Sequence, residues 1–334
     1  MHLPSIPIYL ASGSLRYWLY SIFCKALAYA LLIICTVFVF NSSVAIAGSF
    51  QQKGAAAIRY DLREDRPSRT QYRLRWFPHY QFTNENWSLH GFVVTGDDFS
   101  SNYNTLGSGE DRSLEFRHLY TRIKHNNGKT ELGVIPPYKG RVSSTGLSKD
   151  GWITGLRHVH SWKKFGLMEW VIGSLDHLDE PSVFKRNRKI NYLEMEFSSS
   201  EYKGFRYELA YEAMLEDHFI RGEIRKSLFN TTFSKNTTWA FEFVQNIEKS
   251  ALKLIVSMEA ELPSAIGDID WFSYYTYVDE DFGERGELTE DFINFGHSVV
   301  TEGSIPIVHG LKGFTKVEIA EQQNRFQLGL EYKW

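Results

Sequence analysis

The chain ends on Asn324-Arg-Phe-Gln-Leu-Gly-Leu-Glu-Tyr-Lys-Trp334, in which apolar residues recur at every second position. Side chains of an extended strand point alternately to opposite faces. One face would therefore carry Phe326, Leu328, Leu330, Tyr332 and Trp334. That face has no charge and finishes on two aromatic residues, whereas the ends of soluble domains are usually frayed and solvated.

This apolar face predicts a strand with lipid on one side and water on the other, with aromatic residues at the interface. The stretch resembles the closing strand of Gram-negative outer-membrane β-barrels. The resemblance implies that Phe326, Leu328, Leu330, Tyr332 and Trp334 form the signal that the barrel-assembly machinery reads. The alternative is an edge strand of a soluble β-sandwich.

The start of the chain predicts export. Arg16 and Lys25 are the only charged residues in the first 25, and an apolar run follows from Ala26 to Phe40. Ala45-Ile46-Ala47 then matches a small-residue cleavage site, so residues 1–47 are a predicted signal peptide and 48–334 the mature barrel. The apolar run is short for a spanning helix, which needs about 20 residues, although a retained anchor is the alternative.

Composition excludes several classes of protein. Both cysteines, Cys24 and Cys35, lie in the predicted signal, so the mature chain has no disulfide, thiolate metal site or cysteine nucleophile. Without Arg16 and Lys25, 35 basic residues remain against 40 acidic ones, a net charge of −5 that does not suit a nucleic-acid binder. An aromatic content of 15% with a mean hydropathy of −0.31 suits a barrel, whose lipid-facing residues are only every second one.

Alternating segments recur along the mature chain and predict an all-β fold with short helices confined to loops. We count about sixteen, of which 56–62 and 130–135 are weak, and the alternation slips phase near His118. Short connections alternate with longer polar ones at roughly 97–113, 136–150 and 174–189. This rhythm, which weakens after residue 215, predicts a single-domain, antiparallel up-and-down transmembrane barrel of 14–16 strands.

The polar faces of these segments would line the lumen, with basic residues in the early strands and acidic residues in the later ones. The predicted pore-lining residues are Arg73, Arg75, Arg122, Lys124, Glu194, Glu196, Arg206, Glu208, Glu212, Glu242 and Glu259. Opposed charged walls would create a transverse field in a water-filled constriction. Alternatively, the charges pair between neighbouring strands and close the interior.

The connection from Pro136 to Gly151 is the third external loop by our count. It is similar in place and length to the loop that folds inward and narrows the pore of general porins. The resemblance implies that Lys139, Arg141 and Lys149 approach the lumen as constriction residues. An exposed surface loop is the alternative.

Two histidine patterns bear on catalysis and metal binding. His125-Asn126-Asn127-Gly128 resembles the His-x-Ser-Asn-Gly pattern of outer-membrane phospholipases, but Asn127 stands at the nucleophile position and has no hydroxyl to activate. His158 and His160 share one strand face, which suits either a metal site without a visible third ligand or polar wall residues. We expect no enzyme activity, no metal and no cofactor.

The sequence thus predicts a porin-like outer-membrane channel for passive diffusion of small hydrophilic solutes. Its expected partners are outer-membrane lipid and lipopolysaccharide, the barrel-assembly machinery, the solutes and a possible homo-oligomer, with no nucleic acid. The alternative function is that of a barrel that does not transport, either a structural or surface-binding protein or a lipid-modifying hydrolase.

Overall fold

The computed structural model describes residues 48–107, 112–137, 147–148, 150–162, 164–175, 178, 181–185, 189–229, 234–265, 267–289 and 295–334. The predicted signal peptide, residues 1–47, lies outside these ranges. The predicted constriction residues Lys139, Arg141 and Lys149 also lie outside them.

The described chain forms one antiparallel sheet in which, apart from the two-residue β4, each strand pairs with its neighbours in sequence. Its strands are β1 (Gly48–Arg63), β2 (Arg66–Phe82), β3 (Trp87–Thr95), β4 (Asn104–Thr105), β5 (Leu114–His125), β6 (Gly128–Ile135), β7 (Ile153–Trp162), β8 (Gly166–Ser174), β9 (Tyr192–Ser199), β10 (Phe205–Met214), β11 (Asp217–Phe229), β12 (Asn236–Asn246), β13 (Leu252–Leu262), β14 (Ile269–Val278), β15 (Gly296–Val308), β16 (Leu311–Ala320) and β17 (Asn324–Lys333).

The sheet closes on itself because the first strand pairs with the last. The β1–β17 register runs from Ala55 opposite Lys333 to Arg63 opposite Arg325. β4 pairs only with β2, while β3 pairs directly with β5, so β4 adds no member to the ring. The described chain is therefore a closed antiparallel barrel of sixteen strands, at the upper end of the predicted 14–16.

The two ends of the barrel differ. At one, which we call the turn end, every connection is short: 83–86, 126–127, 163–165, 200–204, 230–235, 263–268 and 309–310. The other, the loop end, has the longer connections 96–113, 136–152, 175–191 and 279–295 beside tight turns such as 215–216 and 321–323. The alternation of short and long connections weakens after residue 215 because several loop-end connections there are tight turns.

Alternation along the strands separates an apolar outer face from a polar inner one. On β17, Leu328 is 56% exposed on the outside, whereas Arg325 and Gln327 are buried on the inside. This pattern, apolar outside and polar inside, is the reverse of that in a soluble protein and suits a wall that faces hydrocarbon. Among the described residues, no helix is long and apolar enough to cross a membrane.

Several details predicted from the sequence are confirmed. The weak segments 56–62 and 130–135 belong to β1 and β6. The phase slip near His118 is a β-bulge, because Phe92 faces His118 while Val93 faces Phe116, which leaves Arg117 as the extra residue. In the described chain, helical turns occur only in the β14–β15 connection, at Glu280–Phe282 and Glu284–Glu287.

Candidate functional site

The inner face of the barrel carries the candidate site. Strand register and alternation place all eleven residues predicted to line a pore on this face: Arg73, Arg75, Arg122, Lys124, Glu194, Glu196, Arg206, Glu208, Glu212, Glu242 and Glu259. The basic strands β1 and β2 stand eight places round the sixteen-strand ring from β10 and β11, which lie within the acid-rich run of strands β9–β13. The two charged walls therefore face each other across the lumen.

The basic wall is built around Tyr103, which the β3–β5 connection carries into the lumen. The guanidinium of Arg59 lies 3.6 Å from the Tyr103 ring centroid and that of Arg73 lies 4.6 Å from it. Arg73 also donates to Glu331 Oε1 at 3.1 Å. Arg75 is ion-paired to Asp150 of the β6–β7 connection. These contacts anchor two loops to the arginines of β1 and β2.

A second basic group surrounds one buried carboxylate, Glu131 on β6. Its oxygens accept hydrogen bonds from Arg122 Nε at 2.7 Å, Lys129 Nζ at 2.8 Å and Arg157 Nη1 at 2.9 Å. Arg157 Nε also lies 2.6 Å from Glu169 Oε1, so three cations face two carboxylates and this part of the wall has a net positive charge. Lys124 lies nearer the turn end of β5 and is exposed.

The acidic wall is centred on Arg221 of β11, whose side chain is 1% exposed. Carboxylate oxygens of Glu212, Glu208 and Glu194 lie 3.3, 3.6 and 3.8 Å from its guanidinium nitrogens, and Glu196 is ion-paired to it. These four carboxylates share two cations, Arg221 and Arg285, so this wall is negative. A buried arrangement of this kind persists only because the charges compensate one another's lost hydration.

The remaining predicted acidic-wall residues differ in exposure. Glu242 is fully buried, Glu259 is exposed near the turn end, and Arg206 pairs with Glu201 of the neighbouring turn at 3.0 Å. Glu259 lines a pocket of about 310 Å³ with Glu261, Asp270 and Glu302. The turn-end rim of the inner face is therefore rich in carboxylates on β13, β14 and β15.

Sequence reasoning did not single out the charged cluster at the closure seam. Asp61 on β1 accepts from Arg325 Nε at 2.6 Å, Gln327 Nε2 at 2.9 Å and Arg69 Nε at 3.0 Å. Arg325 also donates to Glu318 at 3.3 Å. The cluster joins β16, β17, β1 and β2 near the loop end. Alternation already placed Asp61 on a polar face, but gave no sign of its partners.

The loop end of the lumen is filled by apolar side chains, a feature the sequence did not reveal. We call this group the loop-end plug. From the connections it contains Phe99, Leu147, Trp152, Leu175, Phe282 and Leu288, and from the strands it contains inward residues that include Ile135, Ile153, Tyr192, Phe219, Val278 and Val300. Trp152 is fully buried and its ring lies 4.9 Å from that of Phe99. The members of the plug are buried against one another, as apolar residues are in the core of a soluble domain.

Loops from opposite sides of the barrel meet in the plug. Ser148 N donates to Leu288 O at 3.0 Å, which joins the β6–β7 connection to the β14–β15 connection. These two connections stand half the ring apart. In the second one, Arg285 donates through Nε and Nη2 to Glu212 at 2.8 and 3.2 Å. The lumen is thus spanned at its loop end by polypeptide.

The histidines of β5 and β7 do not belong to the polar wall of the lumen. His125, His158 and His160 lie on the outer face at the turn end, because Arg157 and Val159 take the inward positions of β7. Among the described residues, no group of three His, Cys, Asp or Glu side chains is placed to hold a metal ion. His297 is exposed, whereas the adjacent Ser298 is buried on the opposite face.

Comparison with solved structures places the fold among the bacterial porins. A triple mutant of the Rhodopseudomonas blastica porin matches with a TM-score of 0.58 and 8% identity, over 86% of this chain and all of that one. Pseudomonas putida OprB at low pH matches with a TM-score of 0.58 and 9% identity, over 86% of this chain and 93% of that one.

The chain is therefore a sixteen-strand β-barrel that structurally matches bacterial porins. No protein-family model matches the sequence, and no curated protein matches it. At this level of identity the comparison shows the fold alone, and function has to be argued from the site.

Proposed function

We propose that the protein is an outer-membrane channel of the porin type that admits small hydrophilic solutes by passive diffusion. One observation carries the proposal: a closed ring of strands is apolar outside and lined by charged walls inside. A barrel of this size is too wide for wall side chains alone to fill, so its interior holds either water or inserted polypeptide. No covalent step is involved, and selection is by size and charge.

In this proposal the loop-end plug is the constriction. The described part of the third connection, with Leu147 and Trp152 buried inside the barrel, supports that role. Solutes would enter the lumen at the carboxylate-rich turn end. They would pass the loop end where movement of the connections opens gaps in the plug. The resting permeability is then set by how firmly the connections are anchored to the wall, rather than by barrel diameter.

A second candidate function is that of a barrel that does not transport. The hydrogen bond between Ser148 and Leu288 favours it, since this contact joins connections that come from opposite sides of the lumen. Such a protein would serve as a structural or surface-binding element of the membrane.

Liposome swelling distinguishes the two candidates. The full mature chain is refolded into vesicles and challenged with a series of sugars of increasing size. A channel gives swelling rates that fall with solute size, and empty vesicles give the baseline. Folded, membrane-inserted protein with rates at that baseline for every solute would exclude the transport proposal.

A further inference from the structure

The three outward histidines at the turn end form a site of their own. His125 lies on β5 and His158 and His160 lie on β7, with β6 between them, and the ring centroids are 6.0 Å apart for His125–His158 and 6.4 Å apart for His158–His160. Together with Asn86 and Asn127 they line a shallow pocket of about 510 Å³, which we call the histidine pocket. Among the described residues that line it, none is acidic.

Thr130 fixes two of the imidazoles. Its hydroxyl lies 2.8 Å from His125 Nε2 and 2.9 Å from His158 Nδ1. Each of these two rings therefore has its second nitrogen left for another partner. Imidazole N–H groups and amide N–H groups are hydrogen-bond donors, and Lys124 also lines the pocket. The pocket thus presents donors and the positive charge of a lysine, which suits an anionic oxygen ligand.

Next to this pocket, the outer face of β6, β7 and β8 carries a row of exposed apolar side chains. Thr130, His158 and Trp170 stand directly opposite one another on β6, β7 and β8. The next outward row toward the loop end is Leu132, Leu156 and Ile172, which are 60%, 37% and 42% exposed. Successive outward rows are about 6.6 Å apart along a strand. A donor-rich pocket is therefore followed immediately by a surface suited to an acyl chain.

Aromatic side chains beside the pocket indicate its level relative to the proposed membrane. Trp170 stacks on His158 with ring centroids 5.7 Å apart, and Trp162 lies edge-on to His160 at 5.6 Å. Both indoles are exposed on the outer face, at 37% and 43%. Tryptophan is enriched where a membrane protein passes from hydrocarbon to headgroups. At that depth the abundant anionic oxygens belong to lipid phosphates.

We propose that the histidine pocket binds the headgroup phosphate of an anionic glycerophospholipid, with an acyl chain lying along Leu132, Leu156 and Ile172. The inference rests on the proposed membrane residence of the barrel but not on conduction. A free phosphate ion would use the same donors, but it would gain nothing from the apolar row.

The experiment counts bound lipid by native mass spectrometry on the full barrel in detergent, with added phosphatidylglycerol. The test variant is His158→Gln with His160→Gln, and the matched control is His297→Gln, an exposed outward histidine stacked on Tyr275 at the loop end. Folding of each variant is checked by heat-modifiable gel migration. Thr130→Val is a second variant, which retains all three imidazoles and removes only the hydroxyl between them.

We expect phosphatidylglycerol binding to weaken about tenfold or more in the double variant, because hydrogen bonds to a charged group are lost. Thr130→Val should weaken it less, and His297→Gln should match the wild type. Phosphatidylcholine should bind the wild type more weakly, and millimolar inorganic phosphate should not displace the lipid. Equal lipid binding by the double variant and the wild type would overturn the inference, as would displacement by inorganic phosphate. Because the assay needs no ion flow, its failure leaves the channel proposal intact.

Discussion

Ser148 and Leu288 are joined by a backbone hydrogen bond of 3.0 Å, although the strands that carry their loops stand half a barrel apart. The contact is possible only because both connections fold into the lumen. The β6–β7 connection brings Trp152 with it, and the β14–β15 connection brings Phe282 and Leu288. Strand pairing fixes the barrel, whereas side-chain packing fixes the plug, so the plug can be weakened without opening the wall.

Trp152→Ala tests the packing of the plug. Removing a fully buried indole should cost about 3–5 kcal/mol of local stability, since the cavity cannot collapse against the rigid wall. We expect faster hydrogen exchange at the backbone amides of 150–153, with unchanged heat-modifiable migration. Phe184→Ala, at a loop-end position that is 78% exposed, is the control and should leave exchange unchanged. Unaltered exchange in Trp152→Ala would mean that the plug does not depend on this side chain.

Arg285→Met tests the ionic anchor of the β14–β15 connection. The guanidinium is 1% exposed and bonded twice to Glu212, so its removal leaves a buried carboxylate less compensated, at a cost of about 3–5 kcal/mol. We expect protease cleavage within 279–289 to accelerate.

Arg66→Met is the matched control for that variant, because it breaks an exposed pair with Asp65 at the same end of the barrel. Exposed pairs contribute about 0–1 kcal/mol. Equal cleavage rates in the two variants would show that burial of the Arg285–Glu212 pair does not hold the connection.

The opposed walls make a prediction about ion selectivity, given the proposed channel. Replacing Arg73 and Arg75 with Ser removes positive charge from the lumen, so the permeability of cations relative to anions should rise. Glu259→Gln removes negative charge near the turn-end mouth and should shift the ratio the other way. The reversal potential in a KCl gradient measures both changes. Shifts of the same sign in the two variants would contradict the role assigned to the walls.

Leu328→Arg tests whether the outer face meets hydrocarbon. Leu328 lies near the middle of β17 and is 56% exposed, and an arginine at the bilayer midplane costs about 2–4 kcal/mol. Denaturant titration in vesicles should show that loss. Leu106→Arg, at an exposed position in the β3–β5 connection, should change stability little. Equal stabilities for the two variants would mean that Leu328 does not face lipid.

Gly54→Ala tests the closure of the barrel. The backbones of Gly54 and Trp334 exchange two hydrogen bonds of 3.1 Å, and a Cβ at Gly54 would lie 2.1 Å from the Trp334 ring. The indole would have to move, so a smaller fraction of the protein should assemble into membranes if the terminal aromatic residue is the assembly signal. Gly303→Ala is the control, because the nearest atom to its Cβ would be 3.9 Å away. Equal assembly of the two variants would argue against that role for Trp334.

The wall could be predicted from the sequence because period-two alternation is a local signal. On β17 the apolar residues stand at every second position, and the structure places Leu328 outside and Gln327 inside accordingly. On β7 the pattern was ambiguous, since Arg157, His158 and His160 give polar residues to both faces. Only the pairing of Arg157 with Glu131 shows which face is inward.

The plug could not be predicted because loop residues have no period. Phe99, Trp152 and Leu288 lie far apart in the sequence, and Phe99 and Leu288 are flanked by polar residues typical of a surface connection. Their burial depends on where closure of the ring brings the loops. The seam cluster of Asp61 and Arg325 was hidden for the same reason, because its partners are 264 residues apart.

Single-channel recording in planar bilayers tests the central claim most directly. The wild-type barrel and Trp152→Ala are compared at equal amounts of folded, inserted protein. We predict stepwise currents that scale with salt concentration in the wild type, and larger steps when the plug is loosened. Inserted barrels that give no current steps, in the wild type and in Trp152→Ala alike, would contradict the account.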